Sequence, residues 1–258
     1  MKVNPNIIHS IHNNKLIPLP NITVQNIGGR SLKNDDICGS WDFFGKDDEE
    51  TYLKNVKEQP DSWYYRNNKI KYTLNSYGYR TNEFNNIEWQ NSIVIFGCSY
   101  VFGTGVDDSH TIGSFLQDVS GVPVINLGMG GSSIQFALHN SLMLYKSFGI
   151  PKQVVYCFPG ISRYLLYQRK HVELKMGSTD QKMMDHVIPF NMINVELIRN
   201  LWHNKCSYYE CSFFPTTAEI LGCDLYEPIP DDYARDLSHP GITSNKYLAN
   251  KIYKHLKL

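Results

Sequence analysis

Ser92-Ile93-Val94-Ile95-Phe96-Gly97-Cys98-Ser99-Tyr100-Val101-Phe102-Gly103-Thr104-Gly105 is the stretch on which the fold turns. Its first half is a short apolar run closed by glycine, the pattern of a strand covered on both faces. Its second half is rich in small residues, as a tight turn into a helix requires. Helical spacing follows through Ile112, Phe115, Leu116 and Val119. A second apolar run, Val122 to Asn126, leads through a glycine-rich turn to a helix predicted over about 132–148, and Gln153 to Phe158 is a third. Strands separated by helices need right-handed crossovers onto a parallel sheet. The predicted core is therefore α/β, a three-layer α/β/α sandwich with a mainly parallel sheet and a last helix over about 242–256, started by Pro240-Gly241.

On either side of this pattern the periodicity fades. Residues 1–90 read as an irregular N-terminal extension of loops and short strands, with turns at Asn26-Ile27-Gly28-Gly29 and Asn67-Asn68 and a strand over 69–75. Its aromatic residues, Trp41, Phe43, Phe44, Trp63, Tyr64 and Tyr65, are expected to pack onto the main domain, 91–258. Within that domain about 164–232 reads as an insertion, with helices near 189–204 and 216–221 and no clear strand pattern.

The chain has 258 residues, with 25 Lys and Arg against 25 Asp and Glu. That balance lacks the basic footprint of a nucleic-acid or anionic-membrane binder, so partners must be recognised at a local site. The first twenty residues hold no continuous apolar region of the kind that marks a secretory signal, and no segment reaches the length of a membrane helix. The location this implies is cytoplasmic or virion-associated. The six cysteines are scattered through a chain far larger than a disulfide-stapled miniprotein, so free thiols are expected.

Ligands of open parallel sheets bind at the carboxyl ends of the strands. Three such ends are rich in small residues: Gly97-Cys98-Ser99 with Gly103 and Gly105, Asn126-Leu127-Gly128-Met129-Gly130-Gly131, and Pro159-Gly160-Ile161-Ser162-Arg163. Asp236-Leu237-Ser238-His239 stands just before the last helix. On these residues, over about 92–160 and 232–258, the chain resembles the SGNH, or GDSL-type, hydrolases, whose fold is flavodoxin-like and whose members cleave esters with a serine nucleophile. The resemblance implies Ser99 as nucleophile, His239 as base and Asp236 as the group that orients it. It also implies an oxyanion hole from the backbone amides of Ser99 and Gly131. Chemistry agrees, because a serine hydroxyl is a weak nucleophile unless a base, itself held by a third group, takes its proton.

Two positions depart from the family. Cys98 replaces the Asp of the Gly-Asp-Ser block and is read as a buried thiol. The third block lacks the Asn that supplies another oxyanion donor, a loss worth about 100- to 1,000-fold in turnover. Ser162 and Arg163 are the substitutes to hand and are taken as substrate-binding; for Arg163 the ordinary alternative is a surface ion pair in an exposed loop. The resemblance implies no cofactor and no metal, and small acyl groups on a carbohydrate or other small ester as substrate. The rival is a weak or inactive member that binds carbohydrate or serves as a structural part of a virus particle. Admissible partners are then the ester, a second copy of the chain, or a viral assembly.

Other features read more plainly. Gly128, Gly130 and Gly131 lack the full dinucleotide-loop spacing, and no acidic residue follows at the required distance. His203, Cys206, Cys211 and Cys223 have irregular spacing for zinc and are read as packed side chains. The run Asp47-Asp48-Glu49-Glu50 reads as a solvated turn. Asp107, Asp108 and His110 suit a pocket rim, and a helix N-cap at Asp108 or Ser109 explains them as well.

Overall fold

The computed structural model describes residues 38–167, 172–175, 181–225 and 232–256. The turn expected at Asn26 to Gly29 and the first twenty residues lie outside the described residues. The described part of the extension contains strand β1 (Gly39–Trp41), helices α1 (Glu49–Glu58) and α2 (Tyr64–Asn67) and strand β2 (Tyr72–Leu74). β1 and β2 form a small antiparallel sheet. The domain then runs β3 (Ile93–Gly97), α3 (Ser99–Phe102), α4 (Ile112–Ser120), β4 (Val124–Gly128), α5 (Ile134–Phe148) and β5 (Gln153–Phe158). After these come β6 (Tyr164–Tyr167), β7 (Val172–Lys175), α6 (Gln181–Trp202), β8 (Ser207–Ser212), α7 (Pro215–Leu221), β9 (Asp224–Leu225) and α8 (Ile242–Leu256).

The central sheet has five strands in the order β4-β3-β5-β8-β9. Every pairing in it is parallel. Alternation along β3 explains the sandwich. Ile93 and Ile95 enter a core with Ile112 and Leu116 of α4 and Leu248, Ala249 and Ile252 of α8. Val94 and Phe96 enter the other core, with Phe136 and Leu144 of α5 and Val195, Ile198 and Trp202 of α6. Successive side chains of a strand point to opposite faces, so a continuous apolar run marks a strand between two helical layers. The expected α/β/α architecture is the one observed. The extension shares the second core through Tyr65, Ile70, Tyr72 and Leu74.

The stretch read as an insertion, about 164–232, requires correction. It supplies two strands of the central sheet: β8 pairs with β5 from Ser207↔Gln153 to Ser212↔Phe158, and β9 pairs with β8. β8 was hidden because Glu210 interrupts its apolar run; its carboxylate is held by Arg199 of α6 at 2.6 Å and by the Tyr208 hydroxyl. α6 also begins before the expected start and carries Pro189 inside it. The zinc candidates divide between the two faces of the sheet, Cys211 in the α4/α8 core and Cys206 and Cys223 against the other. No cluster of three or more metal-binding side chains occurs among the described residues. Nor, among them, is any helix long and apolar enough to cross a membrane.

Candidate active site

In the order β4-β3-β5-β8-β9 the chain reverses direction of progress between β3 and β5. Such a reversal opens a crevice at the carboxyl ends of the two strands. Ser99 stands there. Gly97 lets β3 turn sharply into α3, since a Cβ at that position would lie 2.3 Å from Cγ2 of Val101. Cys98 is buried at the start of α3, as expected of a packed thiol.

The Oγ of Ser99 lies 2.8 Å from Nε2 of His239. Nδ1 of His239 lies 2.5 Å from Oδ2 of Asp236. The three predicted residues thus fall in one hydrogen-bonded line. Asp236 is tied further: its Oδ1 accepts from the amides of Ser238 and His239 at 3.2 Å, and the Ser238 hydroxyl donates to Oδ2 at 2.7 Å. Burial alone would raise the Asp236 carboxyl, but the bonds from His239 and Ser238 outweigh it and hold the group below the usual carboxylate range. The turn is made at a conformational cost, with Leu237 at φ 55°, a left-handed geometry that a branched side chain rarely adopts. Tyr100 meets the His239 ring edge to face, 5.3 Å between centroids. A line of this kind can take a proton from the serine and return it to a leaving group.

The loop after β4 is drawn to the nucleophile's strand by Met129 N–H and Ser132 Oγ, which donate to the Gly97 carbonyl at 3.0 and 2.8 Å. Gly131 sits in this loop at φ 73°. Asn126 is structural: it donates to Val101 O at 2.8 Å and accepts from Gly128 N–H at 2.9 Å.

Reading the sequence missed a set of braces behind the site. Asp47, assigned to a solvated turn, is fully buried and receives Nε and Nη2 of Arg235 at 3.0 and 2.8 Å. Arg235 adjoins Asp236 in sequence, and its cation lies 4.3 Å from the Phe43 ring centroid. Its carbonyl accepts from Asn55 at 2.9 Å, and its amide donates to Gly105 O at 2.9 Å. The Tyr72 hydroxyl donates to Asp47 and accepts the Gly105 amide at 2.7 Å. The extension therefore clamps the Asp236–His239 turn against the loop that follows Ser99. Arg80 holds the same loop through the carbonyls of Phe102, Gly103 and Val106 and the carboxylate of Asp108. The cap of the turn over 108–110 is Asp107, whose carboxylate accepts from Ser109 N–H, and not Asp108 or Ser109 as the cap reading had it.

Ser162 is half-buried in the turn after β5. Arg163, expected in an exposed loop, is 8% exposed. That correction has a clear cause. The Arg163 amide donates to Gly160 O at 3.0 Å, folding the turn back. Asn191 of α6 then fixes it through Ile161 O and Arg163 O at 2.6 and 2.9 Å.

No protein-family sequence model matches this chain. No curated protein matches it either. Among solved structures, a lipolytic protein of the G-D-S-L family from Desulfitobacterium hafniense is 11% identical, covering 64% of this chain and 99% of its own, with a TM-score of 0.43. An acetyl xylan esterase from Butyrivibrio proteoclasticus is 9% identical, over 66% of this chain and 64% of its own, with a TM-score of 0.46. A carbohydrate esterase family 2 enzyme with its carbohydrate-binding domain, from Corynascus thermopiles, is 13% identical over 66% of this chain and 67% of its own, with a TM-score of 0.43. Each is a distant likeness in fold and carries no assignment of substrate.

Proposed function

We propose that this protein is a serine esterase that removes small acyl groups from a carbohydrate ester. The observation that carries the reading is the hydrogen-bonded line Ser99–His239–Asp236 in the crevice where the sheet changes direction. His239 Nε2 takes the proton as Ser99 Oγ attacks the ester carbonyl, while Asp236 stabilises the imidazolium and fixes its tautomer. The amides of Ser99 and Gly131 are the proposed donors to the oxyanion. The tetrahedral intermediate collapses with the His239 proton delivered to the alcohol oxygen, leaving an acyl-serine. Water, deprotonated by the same imidazole, then releases the acid and restores the hydroxyl.

Incubation with p-nitrophenyl acetate and with a fluorophosphonate tests the reaction. Turnover and labelling at Ser99, both abolished in Ser99→Ala, are the expected results. An unlabelled, inert protein would favour the rival role in carbohydrate binding or in an assembly.

A further inference from the structure

We infer that Arg163 is an anion-binding group of the same crevice, and that the ester cleaved is borne by an acidic sugar whose carboxylate this guanidinium receives. The reaction part of this inference rests on the esterase reading; the binding part does not. A buried cation is costly unless it is paired and hydrogen-bonded, so buried arginines are almost always found with a carboxylate. Arg163 is 8% exposed, yet no carboxylate among the described residues pairs with it. Its Nη1 is buried and has no hydrogen-bond partner among the described residues. What lies beside the guanidinium is apolar: Cζ is 5.1 Å from the Phe214 ring centroid. Nε would stand 3.7 Å from a Cβ at Gly160, a position where the chain offers only hydrogen.

The location brings the guanidinium to the same edge of the sheet as the chemistry. Gly97 pairs with Cys157, so the ends of β3 and β5 are adjacent, and the turn carrying Arg163 follows β5 directly. Phe214, against which the guanidinium lies, follows β8, the next strand beyond β5. Tyr100, which touches the His239 ring, also stacks on Phe214 at 5.6 Å, so one aromatic wall runs from the base to the arginine. The turn is held from both sides, by Asn191 and by Thr217 Oγ1, which accepts from Ile161 N–H at 2.9 Å. A rigid, desolvated guanidinium fork is suited to bidentate recognition of a carboxylate. It also stands where the expected third oxyanion donor is missing, and the experiment separates those two roles.

The test compares the acetyl esters of methyl glucuronide and methyl glucoside, which differ only in carboxylate against hydroxymethyl. The wild-type protein is expected to favour the acid at least tenfold in kcat/KM at low salt. Arg163→Gln is expected to erase that preference through KM, and Arg163→Lys to keep part of it, with thermal melting verifying that each variant folds. No preference in the wild type overturns the inference. An equal loss on both esters in Arg163→Gln also overturns it, making Arg163 an oxyanion donor. If neither ester nor p-nitrophenyl acetate is cleaved, the esterase reading fails instead. Calorimetric binding of methyl glucuronide against methyl glucoside to Ser99→Ala, with and without Arg163→Gln, then decides the anion site. Binding of the acid that Arg163→Gln removes supports it, and equal or absent binding of the two sugars overturns it.

Discussion

Ser99 Oγ and His239 Nε2 stand 2.8 Å apart although 140 residues separate them in the chain. The contact is made by two turns that share a carbonyl-to-amide bond, Gly105 O to Arg235 N–H at 2.9 Å, so the positions of nucleophile and base depend on each other. If Asp236 serves to fix the imidazole tautomer, Asp236→Asn should preserve the fold and lower kcat about 10,000-fold. Steady-state kinetics alongside circular dichroism would check this, and a loss under tenfold would remove Asp236 from the relay.

Asp47 and Arg235 are both almost fully buried and bonded through two pairs of atoms. Removing one partner strands the other charge in an apolar setting. Asp47→Ala should therefore cost about 3–5 kcal/mol of stability. Denaturant titration gives the number; a cost below 1 kcal/mol would mean that the ion pair is not what joins the extension to the domain.

Gly105 has φ 80°, and a Cβ there would lie 2.7 Å from Cβ of Ala234 and 3.2 Å from Oδ1 of Asp236. Gly105→Ala must both adopt a left-handed backbone, at about 1–2 kcal/mol, and push the Asp236 turn away. The expected outcome is a lower melting temperature with a fall in kcat larger than the change in KM. Unchanged kcat would show that the turn can move without disturbing the relay.

His139 on α5 titrates at about 4 because burial disfavours its charged form. Its Nε2 has no hydrogen-bond partner among the described residues. Since its folded value lies below the ordinary 6.5, the unfolded chain binds the proton first, and stability is lost as pH falls from about 6.5 toward 4. Asp236, also held low, adds a loss of the same sign at more acid pH. His139→Leu should shrink the difference in unfolding free energy between neutral and mildly acid pH by up to about 3 kcal/mol. Equal acid sensitivity in variant and wild type would place the titrating group elsewhere.

Much of the fold was legible because β3 and β5 are flanked by helices on both sides and so are apolar at nearly every position. α8 was legible from the stripe Leu248, Ala249, Ile252 and Leu256, all buried. β8 was not, because Glu210 is tolerable in that strand only once Arg199 of a distant helix meets it. Arg163 was visible as a residue after the third strand, yet its burial depends on Asn191 closing the turn. Asp47 was read with the rest of its acidic run as solvated, since no local pattern separates a solvated carboxylate from one that Arg235 will bury.

What the amino-acid order determined unaided is local: which runs become strands and helices, where glycine permits a sharp turn, and which serine, aspartate and histidine stand at the exits. Periodicity and turn chemistry act between residues a few positions apart, so they can be read along the chain. Which charges lose their water and which find a counter-ion was decided only when distant segments packed together, because desolvation and pairing depend on neighbours in space.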